Sequence, residues 1–286
     1  MPSLQHIRRR IGSVKNTQKI TKAMKLVAGA KLRRAQDRIF AARPYAQKMV
    51  ELLQGLGSGI QRDMHPLLTR REERKAGVVV ITADRGLCGS FNANVIRRSM
   101  DVIKEKQRRG IEVHLILVGR KARDFFRKRP YSLRKAWAGI FDKLNFSHAA
   151  EISQEIQKAF LEKEFDVCDL IFTEFRTAAS QKVVVERLLP IGEMKPEDGA
   201  STSHLYEPSD DEIFEKLLPK YVEVQVFRAL LESAASEQGA RMMAMDSATR
   251  NAKDMIHKLT QVYNKTRQAA ITTELMDIIG GAEALK

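Results

Sequence analysis

The chain is poor in cysteine and in aromatic residues: 286 residues hold only Cys88 and Cys168, and 6% are Phe, Trp or Tyr. Two thiols eighty positions apart exclude a disulfide scaffold and any four-cysteine zinc module, and they predict a reducing compartment. Long apolar runs are missing as well. The longest, Val78 to Ile81 and Leu115 to Val118, fall far short of the roughly 18 residues that a membrane-crossing helix needs. The N-terminus, Met1 to Arg10, has no apolar leader core. Its basic, acid-poor composition is shared with transit peptides, but the helical pattern that follows predicts mature structure.

Basic charge is abundant. Fifty Lys and Arg face 35 Asp and Glu, a formal net charge of +15. Most of the excess sits in residues 1–50, where thirteen basic residues face Asp37 alone. Such a stripe attracts an acidic protein surface, a nucleic acid or anionic headgroups. A second basic cluster from Arg97 to Lys135 is broken by Asp101, Glu105, Glu112 and Asp124 and reads as solvent-facing helix and loop. With 43% hydrophobic residues, the chain can bury a sizeable core in one or two domains.

From Leu4, alternate steps of three and four residues trace Ile7, Ile11, Val14, Gln18, Thr21, Lys25, Ala28, Leu32, Ala35, Ile39, Ala42, Ala46, Met49, Leu53 and Leu56. That spacing is a coiled-coil seam. It predicts a helix of about 80 Å, interrupted at most by Pro44 and stopped by the glycines after Gln54. A second seam opens at Val224 after the acidic cap Asp210-Asp211-Glu212 and runs through Phe227, Leu231, Ala235, Gln238, Met242, Met245, Thr249, Ala252, Ile256, Leu259, Tyr263, Thr266, Ala270 and Thr273. Pro219 is a possible bend near its start. Two such stripes are buried most economically against each other, as an antiparallel intramolecular coiled coil. Gln18, Thr21 and Lys25, and Thr249, Thr266, Ala270 and Thr273, thin the seams, so these stretches call for an outside partner or are loosely held.

Between the rods the period shortens. Gly77–Thr82, Glu112–Val118, Asp166–Thr173 and Lys182–Leu189 read as strands, separated by helical stretches near 92–107, 120–127 and 147–162. Apolar strands alternating with helices predict a mainly parallel sheet covered on both faces. The predicted organisation is therefore an N-terminal coiled-coil helix over 1–58, a central α/β, Rossmann-like domain over 75–195, a Pro/Gly/Ser-rich connector, and a C-terminal coiled-coil helix over 209–286.

Enzyme-like chemistry is sparse. The string from Ile81 to Asn92 runs from a strand through Gly86 and Gly89 into a helix, but its spacing matches neither a dinucleotide fingerprint, a P-loop nor a nucleophile elbow. A tight βα turn with Asn92 near the cap is expected. Cys88 lacks a neighbouring histidine or a second cysteine and reads as a structural thiol. The six histidines form no two-histidine zinc motif. Asp210-Asp211-Glu212 is explained by the helix dipole, and Met242, Met243 and Met245 by packing.

Five segments, in order, resemble the γ subunit of F-type ATP synthases. They are Ile20–Ala28 with Gln36-Asp37-Arg38, the Ile81–Asn92 turn, Leu205–Pro208, Ala235–Met242, and Tyr263–Leu275. The resemblance implies a torque-carrying rotor whose coiled coil stands in a ring of α and β subunits, while the α/β domain meets the membrane c-ring and the ε subunit. It implies no catalytic, metal or cofactor site on this chain, with ATP, ADP and magnesium held by the partner α and β subunits. Met24, Arg241, Gln268, Thr272 and Glu274 resemble residues that contact β. Lys22, Lys25 and Arg33 are added because a basic stripe complements acidic loops. Tyr206, Glu207 and Pro208 resemble contacts to the c-ring and ε, and Ile278, Ile279 and Leu285 a tip seated in the ring's bearing. The family's chloroplast dithiol insertion is missing, so no thiol switch is expected. The short leader and compact length suit a bacterial member, peripheral on the cytoplasmic face of the inner membrane and attached only through the complex. Two other functions are compatible with a basic chain of this kind. One is a basic coiled-coil nucleic-acid-binding protein, against which stand the few aromatics of the chain and the lack of a recognised reading motif. The other is a nucleotide-dependent enzyme whose turnover Gly89→Val would abolish.

Overall fold

The computed structural model describes residues 3–57, 65–192 and 210–283. In chain order the elements are α1 (Leu4–Gly57), β1 (Lys75–Ile81), α2 (Phe91–Arg108), β2 (Glu112–Val118), α3 (Arg120–Phe126), β3 (Ser132–Trp137), α4 (Phe146–Leu161), β4 (Val167–Phe175), β5 (Gln181–Leu189) and α5 (Asp210–Glu283). A short 3-10 turn, Ile140–Lys143, precedes α4. Pro44 and Pro219 lie inside α1 and α5, and both helices continue through them. Two compact units emerge, one of residues 1–28 with 242–286 and one of residues 29–241. Both long helices contribute to each.

The unit of residues 29–241 is built on a five-stranded sheet of order β3-β2-β1-β4-β5. Four strands are parallel, and β5 pairs antiparallel with β4. Alternating side chains sort its two faces. Val78, Val80, Leu115, Leu117 and Ile171 pack with Val95, Val102, Ile103 and Phe126 of α2 and α3. Val79, Ile81, Ile116, Val118, Leu170 and Phe172 face the opposite way, towards Ile152, Ile156 and Phe160 of α4, Met49 and Leu53 of α1, and Val222, Val226 and Leu230 of α5. The central strands β2, β1 and β4 are buried along most of their length, as their nearly continuous apolar runs require, while the edge strands β3 and β5 are partly exposed.

Within the α/β unit the predicted strands and the helices between them match within two residues, with one omission. The edge strand β3, Ser132-Leu133-Arg134-Lys135-Ala136-Trp137, carries two adjacent cations where a branched apolar pair would signal a strand. Glu155 of α4 accepts from Arg134 Nε at 2.9 Å and from Lys135 Nζ at 3.0 Å, and Trp137 Nε1 donates to Glu151 at 2.8 Å. Charge is common on edge strands, where it blocks further pairing.

A second difference concerns α5. A single seam was expected throughout, but between Leu218 and Arg241 the helix is buried on several sides: Val222, Val226, Ala229, Leu230, Ser233, Ser236 and Glu237 join the predicted Val224, Leu231 and Ala235. This stretch is a core element of the α/β unit as well as half of a helix pair.

In the unit of residues 1–28 with 242–286, α1 and α5 pair antiparallel. Thr249 Oγ1 donates to Thr21 Oγ1 at 2.8 Å, and Lys25 Nζ meets Asp246 Oδ1 at 2.6 Å, holding that carboxyl below the usual carboxylate range. Ile7, Thr21, Ala28, Met245 and Ala252 are buried, and Ile256, Leu259, Tyr263, Thr266 and Ala270 half-buried. Every seam position foreseen there is covered until Thr273, beyond which the described part of α5 is exposed.

Candidate functional site

In a doubly wound sheet, ligands sit beyond the carboxyl ends of the strands where the strand order reverses. Here that place lies between β1 and β4, and the chain fills it with its own groups. The β1–α2 turn begins with Thr82, whose Oγ1 accepts from Ala122 N at 2.8 Å. Asp84 follows and accepts from Arg120 N at 2.9 Å, Gly139 N at 2.7 Å and Phe141 N at 3.4 Å. A carboxylate of the same chain thus takes the backbone donors presented by the β2–α3 turn and by the segment after β3. Asn92 Oδ1 accepts from Ala83 N at 2.9 Å and its Nδ2 reaches Arg85 O at 3.3 Å, closing the turn as expected of that residue.

The remaining space is occupied by α5. Arg241 donates from Nη2 to Gly86 O at 3.1 Å and pairs with Glu237 Oε1 at 2.6 Å. Burial pushes the Glu237 carboxyl above the usual range, opposed by Arg241. Burial likewise pushes the Cys88 thiol up, away from the thiolate a nucleophile needs, and does the same to Cys168. Among the described residues no cluster of His, Cys, Asp or Glu is arranged to hold a metal, and no helix is long and apolar enough to cross a membrane. Asp84→Ala, which strands three backbone donors, is expected to destabilise the chain by about 2 kcal/mol. Urea unfolding followed by the fluorescence of Trp137, the only tryptophan and a buried one, measures it; an unchanged midpoint would rule the tether out.

The predicted partner-contact residues fall into distinct settings. Lys22 and Arg33 are exposed, Met24 is half-buried, and Lys25 is engaged by Asp246. Arg241 is buried and donates to Gly86 O. Gln268, Thr272 and Glu274 are exposed on α5, where Thr272 Oγ1 donates to Gln268 O at 2.9 Å. Ile278 and Ile279 are 68% and 60% exposed. Tyr206, Glu207, Pro208 and Leu285 lie outside the described residues.

Two features went unforeseen. Exposed apolar side chains flank the seam: Ile20, Leu26 and Val27 on α1, and Met255, Val262, Ile271, Leu275 and Met276 on α5. Reading those helices by heptad phase alone hid the second face. The other feature is a groove of about 1100 Å³ in the α/β unit, lined by Tyr45, Phe146, Tyr221, Arg228 and Glu232 among others. Its members come from stretches too far apart in sequence to be associated by spacing.

The comparisons with known proteins agree with this geometry. Residues 3–285 match the family described as ATP synthase. The ATP synthase gamma chain of Anaeromyxobacter sp. is 52% identical with all of both chains aligned. The chain belongs to the ATP synthase gamma-chain family. A gamma chain is a component of ATP synthase, a membrane-associated complex. The fold of this one is that of central-stalk gamma subunits: a chain of the Tetrahymena thermophila mitochondrial ATP synthase central stalk and c-ring matches at 27% identity and TM-score 0.61, over 80% of this gamma chain and 99% of its own length. A chain of the Euglena gracilis mitochondrial enzyme matches at 24% identity and TM-score 0.74, over 99% and 94%. Neither relatives nor neighbours support the nucleic-acid alternative.

Proposed function

We propose that this gamma chain is the rotor of a proton-translocating F-type ATP synthase, carrying torque between the membrane c-ring and the catalytic α/β ring. The chemistry takes place on the partner subunits, which hold ATP, ADP and magnesium, and this chain contributes no catalytic group. It sits peripherally on the cytoplasmic face of a bacterial inner membrane and is attached there only through the complex. The observation that carries the reading is the set of apolar side chains on α5 left uncovered by the described residues: Ile271, Leu275, Met276, Ile278 and Ile279 are each about half exposed or more. A contiguous apolar surface of this kind marks a partner interface, and a closed ring of subunits around the helix would cover it from all sides.

In this reading Gln268, Thr272, Glu274 and Met24 meet the β subunits, and Lys22, Lys25 and Arg33 complement acidic loops. Ile278, Ile279 and Leu285 seat the tip. Arg241 contributes by way of its bond to Gly86 as much as by any partner contact. Tyr206, Glu207 and Pro208 meet the c-ring and the ε subunit. The burial of Glu237 and Arg241 against the β1–α2 turn supports a mechanical rather than an enzymatic role, since these charged groups are paired with each other and with the chain's own backbone.

Co-purification from membranes tests the proposal: one copy of this chain should accompany three α and three β subunits, and the isolated chain should hydrolyse no ATP. Turnover by the isolated chain would overturn it. Gln268→Leu separates contact from folding. Because Gln268 is exposed, its loss should change the stability of the isolated chain by less than about 0.5 kcal/mol, while ATP synthesis by the assembled complex falls more than assembly does. Normal coupled synthesis would remove Gln268 from the contact.

A further inference from the structure

β1 ends before β4 does. It pairs with β4 only from Val167 to Ile171, whereas β4 continues to Phe175, so the edge that β1 covers is left open at its last residues. Open ladder groups in a dry interior need partners. At Thr173 they come from α5: Thr173 N donates to Ser233 Oγ at 3.4 Å, and Thr173 O accepts from Ser236 Oγ at 3.1 Å. The two serines stand three positions apart, hence on one face of the helix, and are fully buried. They do for β4 what another strand would do. Nearby, a Cβ on Gly239 would lie 3.2 Å from Ala178 O of the β4–β5 turn, which shows how closely the helix backbone approaches the sheet. Arg241 adds the bond to Gly86 O in the β1–α2 turn.

We infer that Ser233 and Ser236 are positioning residues that index α5 in rotation and in axial register against the sheet, so that load on the α/β unit enters the helix through Thr173. The apolar contacts of this stretch hold the helix by packing but are non-directional. A hydrogen-bonded pair has one register: a step of one residue turns the helix by about 100° and carries both hydroxyls away from Thr173. The inference rests on the rotor reading above and adds to it the place where the sheet grips the helix.

The test is Ser233→Ala/Ser236→Ala in the whole complex reconstituted into vesicles, with ATP hydrolysis and ATP-driven proton uptake measured on the same preparation. Losing both bonds should raise the population of slipped registers by about tenfold. Hydrolysis should stay within about twofold of the parent, and uptake per ATP should fall by about threefold or more, most steeply against a large opposing gradient. A ratio of uptake to hydrolysis equal to the parent's, whether both activities are kept or both decline, would show the serines to be structural only and overturn the inference. Should the double variant fail to assemble, Ser233→Ala alone, which removes the longer bond, decides by the same ratio. A parent chain that itself fails to couple would overturn the rotor reading instead, and the inference with it.

Discussion

Gly119→Ala is expected to destabilise the α/β unit by about 3–6 kcal/mol, combining left-handed backbone strain with steric overlap, and to leave little chain able to enter a complex. Gly119 joins β2 to α3 with φ of +98°. An added Cβ would lie 2.1 Å from Thr82 O and 2.7 Å from Thr82 C. Those are backbone atoms, and the residue is held in place by Thr82 N donating to Val118 O at 2.8 Å and by its hydroxyl accepting from Ala122 N. Nothing flexible can yield. The comparison is Gly110→Ala, where φ is +75° but open space surrounds the site. Only the conformational cost of about 1–2 kcal/mol applies there. Equal unfolding midpoints for the two variants, read from Trp137 fluorescence, would contradict the steric argument. The functional consequence follows from the position: Arg120 N, one residue on, is a donor that Asp84 uses to close the crevice.

Asp169→Ala is expected to cost about 3–5 kcal/mol by stranding the buried cation of Lys106. Asp169 on β4 is the hub of a network in the α/β unit, meeting Lys106 Nζ at 2.7 Å and Arg187 Nε at 2.6 Å. Glu73 pairs with Arg187 at 2.8 Å and lies 3.9 Å from Lys106. The Lys106 side chain is 7% exposed, so without Asp169 it keeps only the distant Glu73. Adding Lys106→Met should recover roughly half of the loss, because the buried charge goes with the partner. Additive losses in the double variant would mean the two groups do not act as a pair. The network also explains Asp169 in an otherwise apolar strand, since a lone carboxylate would not be tolerated among such neighbours.

How legible each element was depended on how far its defining interaction reaches along the chain. The seams of α1 and α5 were readable because coverage of a paired helix repeats every three or four residues, and that period is written in Ile7, Val14, Thr21 and Ala28 as in Met245, Thr249 and Ala252. The central strands were readable because burial on both faces demands unbroken apolar runs. β3 was hidden because Arg134 and Lys135 are satisfied by Glu155, twenty residues away on another element. Arg241 was legible as a matching residue of a familiar motif, but its partner Gly86 was not, since they are 155 positions apart.

Periodicity by itself determined the two long helices and the mainly parallel α/β sheet of this protein, and five ordered motifs determined the family. Those properties are set by local repetition, which a linear string preserves. Tertiary structure alone decided that Asp84 ties down the donors of Arg120, Gly139 and Phe141, that Glu237 and Arg241 are buried against the β1–α2 turn, that two serines of α5 complete the edge of β4, and that Ile271 to Ile279 are left exposed by the described residues. Each of these depends on which surfaces distant segments bring together and which they fail to cover, and hydrogen-bond directionality and burial act only once the chain has been folded into contact.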